Sequence, residues 1–233
     1  MTEQPDGESD IPTRATPESG PAIPNELIFG CLLAVLAYAV KTRRGPLLFD
    51  APAERRVQHG VSSVSPLSGV LAAISFVVWP RPAMAGSAVV CTVLLRFRRP
   101  VNALQVAILT YLANESGYRL SRWVRRPRPS GHGIRVQRRI TKTFGFPSGH
   151  VVHSTAVLGF VLYLTQQLSD ELPTVVVWLL RLFAAPIVTL IGVSRVASGE
   201  HWPSDVLGGR LLGLAWLALF IRLSRRGHER RLR

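Results

Sequence analysis

Long apolar segments alternate with arginine-rich connections along most of this 233-residue chain. A helix that crosses a bilayer needs about 20 mostly apolar residues, so the shorter segments must use flanking residues or tilt. The pattern predicts an all-α fold, an integral-membrane helical bundle. The apolar segments lie at 27–40, 60–80, 82–95, 100–114, 151–169, 172–194 and 206–221, with Arg181 and Arg210 as the only charged residues inside them.

The number of membrane-spanning helices depends on the segment 60–80. It is uncharged, but four serines between positions 62 and 68 make it too polar to face lipid. We therefore expect this segment to lie in the interface or to re-enter the membrane. Six transmembrane helices then remain, and seven is the alternative if the segment spans.

The two ends of the chain differ from its centre. Residues 1–24 contain five prolines, several acids and few large apolar side chains, a composition that cannot bury enough surface to fold. We expect 1–24 to be a disordered, acidic, proline-rich tail and 25–224 to form the membrane domain. We expect 225–233 to be a basic cytoplasmic tail.

The composition limits the partners of the chain. Lys plus Arg number 28 and Asp plus Glu 14, for a net charge of +14, yet charged residues make up only 18% of the chain. That share is low for a soluble domain. A basic protein with membrane-length apolar segments more often meets anionic lipid or phosphate, so we expect a lipid bilayer and no nucleic acid as partners. Cys31 and Cys91 both lie in apolar segments, which excludes a disulfide scaffold and a cysteine zinc site.

The first of three polar clusters at the ends of apolar segments runs from Arg119 to Pro129. Ionisable residues at such places are functional candidates. Arg119 and Arg126 are seven residues apart, so on a helix they share one face, where two guanidinium groups suit a phosphate. A solvated basic loop, or an anchor for lipid head groups, is the alternative interpretation.

The second cluster, Ser148-Gly149-His150, begins the apolar segment 151–169. Serine favours the N-cap position of a helix, and the first backbone N–H groups after it would then be free to bind an anion. His150 adds a proton donor beside them. A capped helix with an interfacial histidine is the alternative.

The third cluster contains Arg195, His201 and Asp205. His201 and Asp205 are four residues apart, a spacing that lets a carboxylate hold one imidazole nitrogen and leave the other free to attack. Arg195 supplies a further guanidinium. A purely structural His–Asp pair is the alternative.

Together, the three clusters resemble the signature of the type-2 phosphatidic acid phosphatase and vanadium haloperoxidase superfamily. That signature reads Lys-x6-Arg-Pro, then Pro-Ser-Gly-His, then Ser-Arg-x5-His-x3-Asp. One departure is Arg119 in place of the family's lysine, which keeps the charge and changes its shape. The chain matches with Arg119-x6-Arg126-Pro127, Pro147-Ser148-Gly149-His150 and Ser194-Arg195-x5-His201-x3-Asp205, in the same order and with the same internal spacing.

The resemblance implies a role for each matched residue. His201 would be the nucleophile that forms a phosphohistidine, Asp205 would orient it, and His150 would act as acid and then as base. The resemblance implies no metal and no cofactor. The residues expected to hold the phosphate oxygens are Arg119, Arg126, Ser148, Gly149 and Arg195.

The resemblance also implies a function, the metal-independent dephosphorylation of a membrane lipid phosphate or diphosphate. The candidates are polyprenyl diphosphate, which we favour, phosphatidic acid and phosphatidylglycerol phosphate. A lipid phosphotransferase that uses the same phosphohistidine is one alternative. A non-catalytic membrane protein that binds anionic lipid is an alternative of another class.

The resemblance to bacterial members places the protein in the cell membrane as a multi-pass protein with an extracytoplasmic active site. Counting basic residues in the connections of a six-helix bundle favours the reverse orientation. The sequence does not indicate an oligomeric state.

Overall fold

The computed structural model of the chain describes residues 23–43, 45–131, 133–137 and 143–232. This part of the chain contains helices and no strands. All but two residues of the predicted tail at 1–24 lie outside the described residues, and its disorder stays a prediction. The helices are α1 (Asn25–Arg43), α2 (Asp50–Ser62), α3 (Ser65–Val77), α4 (Pro80–Arg96), α5 (Pro100–Val124), α6 (Gly149–His153), α7 (Gly159–Gln167), α8 (Thr174–Ala197) and α9 (Pro203–Leu232), with a π-helical segment (Ser154–Leu158) that joins α6 to α7.

Local sequence explains where several of these helices begin and end. Helices α4, α5 and α9 start at Pro80, Pro100 and Pro203. Proline is tolerated there because the N–H groups of a first turn have no acceptor within the helix. Helix α5 ends where Arg125 adopts a left-handed φ of 55° and its N–H donates to the Ser121 carbonyl at 2.9 Å. The arginines after residue 125 therefore lie in a connection and not on the helix.

Helix α9 is central to the bundle. It packs against α1, α5, α6 and the π-helical segment, whereas α4 pairs with α5, and α8 pairs with α3 and α7. Side chains such as Val106, Leu109 and Phe160 are fully enclosed between the helices. Large apolar side chains on the outer faces, among them Trp178 and Leu182 of α8, are exposed. An apolar core inside an apolar exterior suits a bilayer, and the predicted all-α membrane bundle is confirmed.

Three helices of the described chain are each long and apolar enough to cross a membrane, namely α1, α8 and the first 25 residues of α9. Helices α2 and α3 would count as a fourth span, broken by a bend of 115°. Such a bend fits a broken span as well as a re-entrant loop, so the predicted interfacial or re-entrant course of 60–80 stays a prediction. The sequence patterns did not predict α2, because polar and charged residues dominate 50–62. The count of six stays a prediction. Helix α9 continues through 225–232, beyond the predicted end of the membrane domain.

The close approach of α9 to the π-helical segment depends on Gly213. A Cβ atom at this position would lie 2.5 Å from Thr155 Cβ and 3.1 Å from the Val152 carbonyl oxygen, so the two backbones would have to separate. We expect Gly213→Ala to destabilise the protein by about 1–3 kcal/mol, the usual cost of overpacking. Thermal unfolding of the purified protein in detergent measures the effect as a lower Tm.

The matched control for this substitution is Gly30→Ala on α1. No atom lies within 4 Å of a Cβ added at Gly30, so this change should leave Tm unchanged or raise it slightly. Equal losses of Tm in the two variants would contradict the packing argument.

Candidate active site

The three predicted clusters meet at one cavity of about 490 Å³. The cavity lies between α5, the start of α6 and the loops that precede α6 and α9. Each cluster contributes to its wall, and most of the contributing groups can donate a hydrogen bond. The residues of the three clusters that line the cavity with polar groups are Ser121, Arg122, Arg128, Gly149, His150 and His201.

His201 lies in the loop between α8 and α9, and its imidazole is buried. Its Nδ1 lies 2.8 Å from the Gly145 carbonyl oxygen, which can only accept, so Nδ1 carries the proton. Its Nε2 is therefore unprotonated, and Arg128 Nη1 donates a hydrogen bond to the lone pair of that nitrogen at 3.2 Å. This tautomer leaves Nε2 as the nitrogen that can act as a nucleophile.

Asp205 lies near His201 but does not hold it in the way the spacing predicted. Its Oδ2 is 3.7 Å from His201 Nδ1, beyond hydrogen-bonding distance, and instead accepts the Trp202 N–H at 2.9 Å. The contact that orients the ring comes from Gly145. A Cβ at position 145 would lie 3.0 Å from Asp205 Oδ2, so a side chain there would press against this carboxylate. Asp205 acts on His201 through its charge.

The environment of His201 keeps its imidazole neutral. Burial lowers the pKa of His201 below its usual value, Arg128 adds to the decrease, and the Asp205 carboxylate opposes it. A histidine must be unprotonated at the attacking nitrogen to act as a nucleophile. The site therefore keeps His201 in the reactive form at neutral pH.

Arg128 is the guanidinium that faces the cavity beside His201. It is held in place by the Glu200 carbonyl oxygen at 2.7 Å and by the Thr143 Oγ1 and carbonyl oxygen at 2.9 and 3.3 Å. All of these partners are neutral, so no direct ion pair with a described residue cancels the charge of Arg128. The sequence interpretation did not select Arg128.

The start of α6 places Gly149 and His150 at the cavity, as predicted, and Ser148 directly before them. Ser148 occupies the N-cap position, but its side chain makes no capping hydrogen bond, so the expected capping role is wrong in this detail. Ser148 Oγ and His150 Nε2 are both buried and have no hydrogen-bond partner among the described residues. Buried polar atoms of this kind are normally satisfied, so these two are available to a ligand.

Arg195 is buried on the last turn of α8, where its Nη1 pairs with Glu200 Oε2 at 2.9 Å. Its charge acts on both His150 and His201. Its Nε has no partner within the described part of the chain. The side chain lines a second cavity of about 320 Å³ between α3 and the end of α8, so Arg195 lies beside the first cavity without forming its wall.

Arg119 and Arg126, the two arginines expected to bind phosphate from one helix face, do not lie together at the cavity. The Arg119 side chain is 76% exposed and pairs with Glu115 one turn earlier, at 2.6 Å. Arg126 is fully buried and pairs with Asp50 and Asp205, each at 2.6 Å. The helical argument fails because α5 ends at Val124, before Arg126.

The Arg-Pro dipeptide occurs twice in this connection, as Arg126-Pro127 and Arg128-Pro129. With Arg128 as the motif arginine, the family spacing places Ser121 where the signature has lysine, and Ser121 lines the cavity. The adjacent Arg122 also lines it and brings a positive charge. The structure thus favours a register two residues later than the one that the sequence analysis chose.

The fold and the site define a class: helical membrane proteins with two histidines and an arginine around one cavity. The chain belongs to the PAP2 superfamily, since the family model matches residues 99–228. That range contains all three clusters and more than half of the chain.

Two curated relatives match part of the chain. Phosphatidylglycerophosphatase B of Bacillus subtilis (strain 168) is 34% identical over 97 residues, which are 41% of this chain and 44% of that protein. Sphingosine-1-phosphate phosphatase 2 of Mus musculus is 33% identical over 94 residues, which are 40% of this chain and 25% of that protein. The chain thus aligns with less than half the length of either relative.

Two crystal structures share the fold. A transmembrane PAP2-type phosphatidylglycerolphosphate phosphatase from Bacillus subtilis has a TM-score of 0.69 at 21% identity, covering 88% of this chain and 98% of that chain. Aquifex aeolicus LpxE has a TM-score of 0.56 at 18% identity, covering 76% and 96% of the two chains. These matches show that the chain shares the fold of these two helical bundles.

The positions of the arginines predict which of them binds an anion. We expect Arg128→Gln to weaken the binding of orthovanadate by about tenfold or more, the usual loss for a charge-assisted hydrogen bond. Arg119→Gln is the matched control, since it removes an exposed arginine, and should change the affinity less than about twofold. Isothermal titration of the purified protein in detergent measures both, and a larger loss in Arg119→Gln would contradict the register.

Proposed function

We propose that the protein is a metal-independent lipid phosphatase that works through a phosphohistidine on His201. One observation carries the proposal: the buried His201 donates its Nδ1 proton to the Gly145 carbonyl oxygen and keeps its Nε2 lone pair beside Arg128 at the cavity. A protein that only binds anionic lipid has no need for a histidine fixed in this tautomer. Family membership and the two phosphatase relatives also support a phosphatase.

In the first step, His201 Nε2 attacks phosphorus and a P–N bond forms. The bond between phosphorus and the leaving oxygen breaks, and that oxygen takes a proton from His150, which lines the same cavity. The Asp205 charge stabilises the positive imidazole ring that carries the phosphate. Phosphoryl transfer needs mainly positioning and charge stabilisation, and Arg128 and the N–H groups at the start of α6 supply both.

In the second step, water attacks the phosphohistidine. His150, now neutral, accepts a proton from the water, the P–N bond breaks and its electron pair returns to His201. The products are inorganic phosphate and a lipid alcohol, or a lipid monophosphate when the substrate is a diphosphate. Ser148 and Gly149 keep their proposed roles at the phosphate, and Arg128 replaces Arg126. Arg195, which lies beside the cavity, acts on the site through its charge.

The substrate proposed is a phosphorylated lipid whose tail stays in the bilayer. The exposed apolar faces of the bundle support this class, because they hold the cavity at the membrane. Among the candidate substrates, we favour phosphatidylglycerol phosphate over polyprenyl diphosphate and phosphatidic acid, because one curated relative and one structural relative are named after it.

The deciding experiment is phosphate release by the purified protein in detergent with EDTA present. The panel contains phosphatidylglycerol phosphate, undecaprenyl diphosphate and phosphatidic acid. We expect release from at least one lipid to survive EDTA and to fall to background in His201→Ala, while His59→Ala, an exposed histidine on α2, stays near wild type. Loss of activity with EDTA would overturn metal independence.

The same assay separates the alternatives. With a phosphotransferase, the lipid substrate would lose its phosphate without release of inorganic phosphate. With a hydrolase in ¹⁸O-labelled water, the inorganic phosphate released would carry one labelled oxygen. Turnover of no lipid by the wild-type protein would favour the non-catalytic lipid-binding alternative.

We also propose that the bundle crosses the membrane six times. Pro80 lines the cavity and Asp50 lies behind it, paired with Arg126, so α2 and α3 leave and return to the same side. At the far end, an Arg99–Glu171 ion pair joins the turn after α4 to the turn after α7. The crossings are then α1, α4, α5, the continuous helix 149–167, α8 and α9.

The orientation proposed from the family resemblance is an extracytoplasmic active site. Ser130 is exposed on the site side and Ser169 is exposed on the far side, so each can carry a reporter. With Cys31 and Cys91 changed to serine, Ser130→Cys should react with a membrane-impermeant maleimide in intact cells. Ser169→Cys, the matched control, should react only after permeabilisation, and the reverse pattern would contradict the orientation.

A further inference from the structure

A buried carboxylate from α2 caps the helix that carries Asp205. Asp50 is fully buried, and its Oδ1 accepts the Ser204 N–H at 2.9 Å while its Oδ2 accepts the Ser204 hydroxyl at 2.8 Å. Ser204 lies in the first turn of α9, where N–H groups have no acceptor within the helix. Trp202, which precedes that turn, has no side chain that could cap it. Asp50 thus supplies from 154 residues away the cap that the local sequence lacks.

A buried guanidinium joins this carboxylate to the site. Arg126 donates from Nη2 to Asp50 Oδ2 and from Nη1 to Asp205 Oδ1, both at 2.6 Å. The same Nη1 bonds to the Ser204 hydroxyl at 2.7 Å, and Nη2 bonds to the Gly45 carbonyl oxygen at 3.0 Å. The fork of Arg126 therefore holds one oxygen of Asp205, while the Trp202 N–H holds the other.

The network fixes both the position and the effective charge of Asp205. One carboxylate beside His201 is opposed by one guanidinium, and that guanidinium is balanced by the second carboxylate of Asp50. Loss of Asp50 would leave the charge of Arg126 to act on Asp205 alone. Loss of Arg126 would leave two carboxylates behind His201.

We propose that Asp50 and Arg126 are positioning residues that hold Asp205 and set the charge behind His201 for the reaction. Neither residue lines the cavity, so both act through Asp205 and Ser204. The inference rests on the proposed function, in which His201 attacks phosphorus. It gives Arg126 a role other than the phosphate contact that the sequence suggested.

Other charged groups also lie close to His201 and Asp205. His201 is exposed to the charges of Arg128 from the connection after α5, Arg195 of α8 and His150 of α6. Asp205 and Arg126 also lie close to Glu54, a fully buried residue of α2. The same four residues are present in every variant below. The pKa of Glu54 is raised to about 8, chiefly by burial, which the substitutions leave in place, so this side chain stays neutral over the acid limb.

The test compares Asp50→Asn, Arg126→Gln and the double variant with the wild-type protein. The midpoint of the acid limb of kcat/KM reports the protonation of His201. In the wild type, we expect it below pH 6.5, because burial lowers the pKa of His201 from that value. Removal of a negative charge disfavours the imidazolium, so Asp50→Asn should move the midpoint down by about one pH unit. Arg126→Gln removes a positive charge and should move the midpoint up by a similar amount.

The double variant is the decisive member of the set. It removes one charge of each sign, so the midpoint should return toward the wild-type value while kcat stays lower by about tenfold or more, a loss typical of outer contacts. Shifts of the same sign in the two single variants, or unchanged midpoints with only a lower kcat, would show a structural role and overturn the proposal. If Arg126→Gln does not fold, the comparison of Asp50→Asn with the double variant still decides.

Arg181→Gln is the matched control for a lost arginine. Arg181 on α8 bonds to Thr165 at 3.0 and 3.1 Å and makes none of the contacts described at the site. Its loss should leave the midpoint unchanged. Elution profile and Tm in detergent show that each variant is folded.

A second readout separates this inference from the proposed function. The His201 ring can be titrated by NMR in protein with ¹⁵N-labelled histidine, with its signal assigned by its loss in His201→Gln. If the wild-type protein turns over no lipid, the proposed function fails, while the midpoints from NMR still test the network. If turnover is present but the NMR midpoints do not shift in opposite directions, the network proposal alone fails.

Discussion

The ion pairs of one buried guanidinium organise the site end of this protein. Burying an ion costs several kcal/mol, which is repaid only when the remaining hydrogen-bonding capacity is met at good geometry. The two Nη groups of Arg126 meet this condition with two carboxylates, a hydroxyl and a carbonyl oxygen, whereas its Nε has no partner among the described residues. Its partners belong to the loop before α2, the start of α2 and the start of α9. The segment 45–50, Arg126 itself and the start of α9, which are far apart in sequence, are therefore fixed at one point, and the site is assembled on the other side of Asp205.

The arginines of the two Arg-Pro dipeptides have different positions and different roles. Arg126 and Arg128 both precede proline, which favours an extended or polyproline-like backbone. With three residues per turn in polyproline, side chains two residues apart leave in different directions. Arg126 thus lies behind Asp205 in the protein interior, whereas Arg128 reaches the cavity beside His201. One charge stabilises the site and the other is available to a phosphate.

The surrounding helices give the cavity its place at the membrane. Tight contacts of α9 with the start of α6 and the π-helical segment bring His150 and His201 to one end of the bundle. The far end is joined by ion pairs such as Arg222 with Glu26 at 2.6 Å. Between the two ends, apolar side chains fill the core and cover the outside. Polar chemistry and the lipid-facing surface are therefore separated along the helix axes.

The sequence by itself determined the all-α membrane bundle, most of the helices and the meeting of the three clusters, since apolar length and motif spacing are local properties. It did not reveal α2, because a polar helix lacks an apolar segment. The motif spacing also favoured Arg126 over Arg128, because another arginine, Arg119, lies seven residues before Arg126. Spacing alone cannot tell which of the two Arg-Pro dipeptides faces the cavity. Only the tertiary structure decided that Gly145 holds His201 and that Asp50 supports Asp205. These contacts join residues 56 and 154 positions apart, and no local pattern encodes such a distance.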